Sequence, residues 1–292
     1  MKSKLFSIAM LLFGALMMTS CLSDDKNDQK QIFTYNQDLC FNAVTDIATN
    51  ETRVETGTIY RITIDYTTAA LTLEIQNLNL SEDLKGLSFK FENLKMVADS
   101  EGWLVASGRN LTSVGNSSLS FDNLSVKTMI RGNMYSFCIQ YTVDSKYVVN
   151  VVPVQSLYFA DTYVSPVGEN QLGAFTTDET YYIVTLDPKT MKAVLAVAKA
   201  KFSDKMPLSL NFMIKDLPFE INPVGYSINA TGNFTPLSET GVPNPKYPCS
   251  DIKITADIAK GGTLSYFCEP NNMGKFNVTA TLKYVIKKQT GN

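Results

Sequence analysis

The chain of 292 residues contains no histidine. That excludes a Ser-His-Asp or Cys-His catalytic device and any zinc site built on imidazole. Its five cysteines include no C-x-x-C spacing, which argues against a zinc ribbon or a dithiol redox motif. There is no phosphate-binding G-x-x-x-x-G-K-[ST] loop, no G-x-G-x-x-G turn and no calcium loop of alternating acids. Basic blocks interleaved with aromatics are also missing, so nothing in the composition favours nucleic acid as a partner. Tryptophan occurs once, at position 103.

What is present begins at the N-terminus. Lys2 and Lys4 precede an uncharged run from Leu5 to Ser20, rich in Leu, Met, Phe and Ala. Its apolar part, Leu5 to Met18, falls short of the roughly 20 residues of a spanning helix. It closes on small residues, Thr19-Ser20, directly before Cys21. A charged start, a short apolar core and a small-residue end describe an export signal over residues 1–20. Removing it deletes two lysines and no acid, taking the formal charge from −2 to −4. The next residues, Leu22-Ser23-Asp24-Asp25-Lys26-Asn27-Asp28, form a short acidic tether, assigned to residues 21–30.

Met18-Thr19-Ser20-Cys21 resembles the lipobox of bacterial lipoproteins, with Met where that pattern prefers Leu. The acidic stretch after it is similar to the export signal of surface lipoproteins in the Bacteroidetes. The resemblance covers about the first tenth of the chain and implies lipidation at Cys21. It also implies an outer-membrane location, on the cell surface or otherwise on the periplasmic face. Acyl chains on one cysteine anchor a protein while its folded part stays in water.

The rest of the sequence repeats. Tyr60-Arg61-Ile62-Thr63-Ile64-Asp65 matches Tyr182-Ile183-Val184-Thr185-Leu186-Asp187, and the block Leu87 to Leu94 matches Leu210 to Leu217. Gly102-Trp103 with Ala106-Ser107-Gly108 corresponds to Gly225-Tyr226 with Ala230-Thr231-Gly232. Phe137-Cys138 and Lys146-Tyr147 line up with Phe267-Cys268 and Lys275-Phe276. Four blocks in one order predict two tandem copies of a domain, residues 31–160 and 161–292.

Within each copy the hydrophobic period is two. Tyr60, Ile62 and Ile64 alternate with Arg61, Thr63 and Asp65, and Phe276, Val278, Ala280 and Leu282 alternate with Asn277, Thr279, Thr281 and Lys283. Turn signals separate such runs, at Asp65 to Thr68, Asp187 to Thr190, Arg131-Gly132-Asn133 and Lys260-Gly261-Gly262. About seven short strands per copy predict an all-β protein of two homologous antiparallel domains, each a sandwich or barrel-like.

Four candidate positions follow from this frame. The turn between Ile252–Ile258 and Leu264–Cys268 brings Cys249 close to Cys268, which predicts a disulfide between them. Cys138 then either reaches Cys40 or remains a buried thiol. Trp103 and Tyr226, each after a glycine, form a candidate ligand-stacking pair, against the alternative that both are core. Asp65 and Asp187 sit where side chains cap tight turns, which suits structure better than catalysis.

The functional expectation is a non-catalytic binding or adhesion module, anchored by its lipid, requiring no cofactor or metal, with a protein or glycan as partner. Two alternatives are a hydrolase using two carboxylates about 5–10 Å apart in a cleft and a purely structural envelope protein.

Overall fold

The computed structural model describes residues 30–100, 102–109, 111, 119–131, 134–168 and 172–284. The export signal, the lipobox with Cys21, the acidic tether up to residue 29 and the Gly132-Asn133 turn lie outside the described residues. The described chain is all-β and forms two units, divided between Val154 and Gln155. The strand that opens the second unit begins at Gln155, so the expected boundary near residue 160 falls inside it.

The first unit holds β1 (Lys30–Tyr35), β2 (Cys40–Asp46), β3 (Thr52–Glu55), β4 (Ile59–Asp65), β5 (Ala70–Leu78), β6 (Leu87–Ala98), β7 (Leu104–Gly108), β8 (Phe121–Arg131), β9 (Met134–Val143) and β10 (Tyr147–Pro153). They form one antiparallel, barrel-like sheet in the order β1-β4-β5-β6-β7-β8-β9-β10-β2-β3. The second unit holds β11 (Gln155–Pro166), β12 (Phe175–Thr177), β13 (Tyr181–Asp187), β14 (Lys192–Ala200), β15 (Leu210–Asn222), β16 (Gly225–Phe234), β17 (Cys249–Asp257), β18 (Gly261–Cys268) and β19 (Phe276–Lys283). Here β11 pairs with β13 through Gln155–Phe159 and with β19 through Phe159–Pro166, which closes an eight-stranded barrel. The extra strand β12 adds to β11.

The topologies are the same once β1 and β2 are read as the two halves of β11. Strand β1 pairs with β4 as the first half of β11 pairs with β13, and β2 pairs with β10 as the second half pairs with β19. In the first unit a turn interrupts this strand, where the amides of Leu39 and Cys40 donate to the Asn36 carbonyl at 2.9 and 3.0 Å. The irregularities also repeat. Bulges between Leu71 and Leu73 and between Ile75 and Leu78 match those between Ala193 and Leu195 and between Val197 and Ala200. Left-handed residues accompany them in both units: Asn77 and Lys199, Asn93 and Asp216, Asn123 and Asp251. A bulge leaves one residue unpaired and sharpens the twist, as a sheet curling into a barrel requires.

Eight strands enclose an interior just wide enough for side chains to fill. In the second barrel that filling includes Tyr158, Tyr182, Tyr226 and Tyr266, all fully buried. Their hydroxyls find partners: Tyr158 with Tyr226 at 3.0 Å, and Tyr182 with Thr162 at 3.3 Å. In the first unit the equivalent of Tyr182 is Tyr60, which donates to Asn42 Oδ1 at 2.8 Å and meets the Tyr141 hydroxyl at 3.0 Å. Because the Tyr60 proton goes to Asn42, Tyr141 is the donor to Tyr60. The network continues outward, with Asn42 Nδ2 donating to Glu55 Oε2 at 2.7 Å and to Thr58 Oγ1 at 2.9 Å. Thr58 Oγ1 and Asn79 Nδ2 also donate to the Glu55 carboxylate, at 2.7 and 2.8 Å.

Glu55 is 5% exposed. Burial pushes its carboxyl above the ordinary 4.5, against hydrogen bonds from Thr58, Asn42 and Asn79 and the charge of Arg53 that favour ionisation. An acid whose folded pKa is raised binds more protons folded than unfolded, so its contribution to stability declines as pH rises above the unfolded value. Trp103, the sole tryptophan, reports on the first unit. Urea unfolding followed by its fluorescence is expected to show the native chain losing stability relative to Glu55→Gln as pH rises from about 4.5 toward neutrality. A difference that stays flat or grows in the other direction refutes the assignment.

Candidate functional site

Trp103 and Tyr226, the candidate stacking pair, are both core residues, 4% and 1% exposed. Trp103 lies in the turn before β7, where its amide donates to Asp99 Oδ1 at 2.9 Å. Tyr226 lies inside β16, with its hydroxyl on Tyr158. They are not equivalent either. Met96 opposite Ala106 corresponds to Phe219 opposite Ile228, so the counterpart of Tyr226 is Leu104. Neither ring has a face for a ligand, and the core reading replaces the stacking one.

Asp65 and Asp187 are turn residues. The Thr67 and Thr68 amides donate to Asp65 Oδ1 at 2.9 and 3.2 Å, and the Lys189 amide to Asp187 Oδ1 at 2.9 Å. The Thr190 hydroxyl and the Lys189 amide hold the Asp187 carboxyl below its ordinary value, as capping donors do.

The cysteines divide by face. Cys40 belongs to the core of the first unit, as do Phe137 and Ile139 on either side of Cys138, while Cys138 itself points to the opposite side of the sheet. Strand β10 also lies between β2 and β9, which sets the two backbones about 10 Å apart. Cys40 and Cys138 therefore cannot bridge, and each is a buried thiol. The alignment of Cys138 with Cys268 is corrected too, because Val143 opposite Tyr147 is the counterpart of Cys268 opposite Phe276.

Cys249 and Cys268 stand directly opposite each other in the β17–β18 ladder, where the first unit places the apolar pair Phe121 and Val143. Both are thiols in the structure, both are 1% exposed, and their sulfurs approach the Tyr247 carbonyl at 3.5 and 3.8 Å. The turn that brings them together depends on glycine. Gly261 has φ of 99°, and a Cβ on Gly262 would meet the Thr255 carbonyl oxygen at 2.0 Å.

A groove lies elsewhere among the described residues, on the outer face of β11, β19, β18 and β17. Two rows cross these four strands. One runs Thr255, Thr263, Thr281, Asp161, and the other Lys253, Ser265, Thr279, Tyr163, each residue opposite the next. Together they line a groove of about 470 Å³. Asp161 is ion-paired with Lys283. Tyr163 is 47% exposed, one of the large hydrophobic residues left in solvent. Outward positions of strands favour threonine for its β-branched shape, so one threonine there says little. The informative comparison is internal.

By the shared registers the same face of the first unit keeps polar residues at four positions, Lys127 for Thr255, Ser125 for Lys253, Gln140 for Ser265 and Asn150 for Thr279, while at the other four it carries Phe41 for Asp161, Ala43 for Tyr163, Val152 for Thr281 and Cys138 for Thr263. Phe41, Ala43, Val152 and Cys138 are 2%, 0%, 0% and 3% exposed. At those four positions one fold thus supports buried side chains in one unit and exposed ones in the other, so a hydroxyl at Thr263 or Thr281 is not a requirement of the fold. Sequence reading missed Tyr163 because it sought aromatics after glycines. Comparing residue 163 with residue 43 across the repeat would have exposed an alanine replaced by a solvent-facing tyrosine.

No family model and no curated protein matches the chain. Among solved structures, a Bacteroides fragilis protein described as an outer membrane protein is similar at 11% identity over 86% of this chain and 96% of its own, with a TM-score of 0.34. Transferrin-binding protein B of Haemophilus parasuis is similar at 8% identity over 89% of this chain and 77% of its own, with a TM-score of 0.23. Likeness at this level carries no argument about ligand or partner.

Oxidation of the β17–β18 pair is the expected state in an oxidising medium. Non-reducing peptide mapping of the purified chain should yield a peptide linking Cys249 to Cys268, with Cys40 and Cys138 as thiols. Closing that loop should add about 3 kcal/mol to the second unit relative to Cys249→Ser. A bridge from either residue to Cys40 or Cys138 contradicts it.

Proposed function

We propose that this chain is a lipid-anchored, non-catalytic binding protein of the outer membrane, displayed on the cell surface and recognising its partner through the open face of its second barrel. The observation that carries the reading is the contrast at four equivalent positions: Phe41, Ala43, Cys138 and Val152 are buried in the first unit, whereas Asp161, Tyr163, Thr263 and Thr281 are exposed in the second. The N-terminal signal supports the location, because a lipidated Cys21 would hold both barrels at the membrane with their surfaces in water.

The chemistry of the groove supports binding over hydrolysis. Its one lining carboxylate, Asp161, is engaged by Lys283, whereas glycoside hydrolysis by acids needs two facing carboxyls. The barrel interior is occupied by its own tyrosines and aliphatic side chains, which leaves recognition to the exterior.

Two experiments test the reading. Cys21→Ala should move the protein from the membrane fraction to the soluble one and abolish incorporation of labelled palmitate, and palmitate in the mutant would refute lipidation at that residue. Beads carrying the mature chain should retain intact cells of the producing bacterium or a mucin-coated surface. Thr263→Arg, which fills the groove while leaving the core intact, should abolish that retention. Equal retention by native and variant beads, or none by either, refutes the binding face.

A further inference from the structure

From the chemistry of the open face, and resting on the binding reading above, we infer that its ligand is a neutral glycan, held by the hydroxyl rows with a sugar ring stacked on Tyr163. A polyhydroxylated chain needs short-range donors and acceptors at regular spacing, little net charge and an aromatic face for the apolar side of a pyranose. The groove supplies each of these.

Thr255, Thr263 and Thr281 lie opposite one another on successive strands. Neighbouring strands are about 4.8 Å apart, so the four-strand row extends about 14 Å, room for about three linked rings. A threonine hydroxyl both donates and accepts, as a sugar hydroxyl does, so each rung can satisfy a ligand group in either sense. The ion pair between Asp161 and Lys283 removes most of the charge from the end of that row. Lys253 is the charge that remains in the other row, too little to select a polyanion.

Tyr163 closes the second row and is braced from behind, with its backbone opposite Thr279 on β19 and Thr176 on β12. Strand pairing on both edges fixes the backbone from which its ring projects, so little backbone order is lost on binding. An extended peptide would instead seek an unpaired strand edge, and β11 offers none along Thr162–Val164, where both edges are taken. A protein partner contributing a hydrophobic anchor would find one exposed ring among hydroxyls, a poor match for the apolar centre of such interfaces.

The test is calorimetric titration of the full mature chain with neutral hexasaccharides of the cello-, malto-, manno- and xylo- series and, as an anionic probe, with polygalacturonate. At least one neutral series should bind saturably. Tyr163→Ala should weaken it about tenfold, and Thr281→Val, which keeps shape and removes a hydroxyl, should weaken it by about threefold or more. Tyr66→Ala, at an exposed ring of the first unit, should bind as the native chain does. Binding of polygalacturonate alone, or neutral binding unchanged in Tyr163→Ala, overturns the inference.

Periodate and protease treatment of the bead-assay surfaces separates the two levels of the reading. Retention lost after periodate supports the glycan. Retention lost after protease but resistant to periodate overturns the glycan while the binding face stands. No retention and no oligosaccharide binding removes both.

Discussion

Everything in the second unit hangs on one strand pairing along both of its edges. β11 meets β13 with its first half and β19 with its second, and this crossover of partners turns a sheet into a closed ring. Closure removes the edge that an open sheet would present to other chains. It also fixes which side chains face inward, because the alternation along β11 must agree with that of both neighbours at once. In the first unit the equivalent strand is broken between Tyr35 and Cys40, and each half keeps its own partner. Just past the break stands Asn42, which links the Tyr60–Tyr141 pair inside to Glu55 and Thr58. The polar network lies where the ladder is interrupted. Each such bond adds only about 1 kcal/mol net, but leaving a buried member without its partner costs about 1–3 kcal/mol, so the network fixes one arrangement more than it adds stability.

The conserved irregularities explain how two copies with few identical residues keep one shape. Asn77 and Lys199 share no chemistry beyond tolerance of a left-handed backbone, with φ of 60° and 56°. Both occupy the bulge before the strand turns back, so the curvature is encoded at the same step. The tyrosines inside are the second constant. Tyr60 and Tyr182 stand opposite Tyr35 and Tyr158 in the neighbouring strand, so each unit places a tyrosine pair on the same two strands.

These irregularities also set the limit of what the sequence disclosed. Alternation along Phe276–Lys283 or Tyr60–Asp65 announced strands, and the matched blocks announced a tandem repeat, because both signals are local. Equivalence across the repeat is a matter of register, and a bulge changes register without leaving a mark in composition. Matching Gly-aromatic with Gly-aromatic therefore set Trp103 beside Tyr226, and matching Phe-Cys with Phe-Cys set Cys138 beside Cys268. The ladders pair Leu104 and Val143 with those residues instead. The Cys249–Cys268 juxtaposition was readable because both residues belong to one hairpin, whose turn glycines fix the pairing. The hydroxyl face was not, since its residues come from four strands of which β11 lies some hundred positions from the others, and each alone is an ordinary outward threonine or serine.

The location of the thiol pair ties the two features of the second barrel together. Cys249 and Cys268 cap the ladder of β17 and β18 at the end away from the Gly261-Gly262 turn, and Lys253, Thr255, Thr263 and Ser265 lie between those two anchors. A strand pair joined at both ends would not slip, and a one-residue slip would turn those side chains into the core. The first unit has Phe121 against Val143 at the same place, both buried in its core. In the second unit the outward face is open, so the register of this hairpin rests on the buried inward residues, Ile254, Leu264 and Tyr266 among them, together with its ends. A covalent clamp at that position would therefore act on recognition as much as on stability, by holding two of the four strands that display the hydroxyl rows.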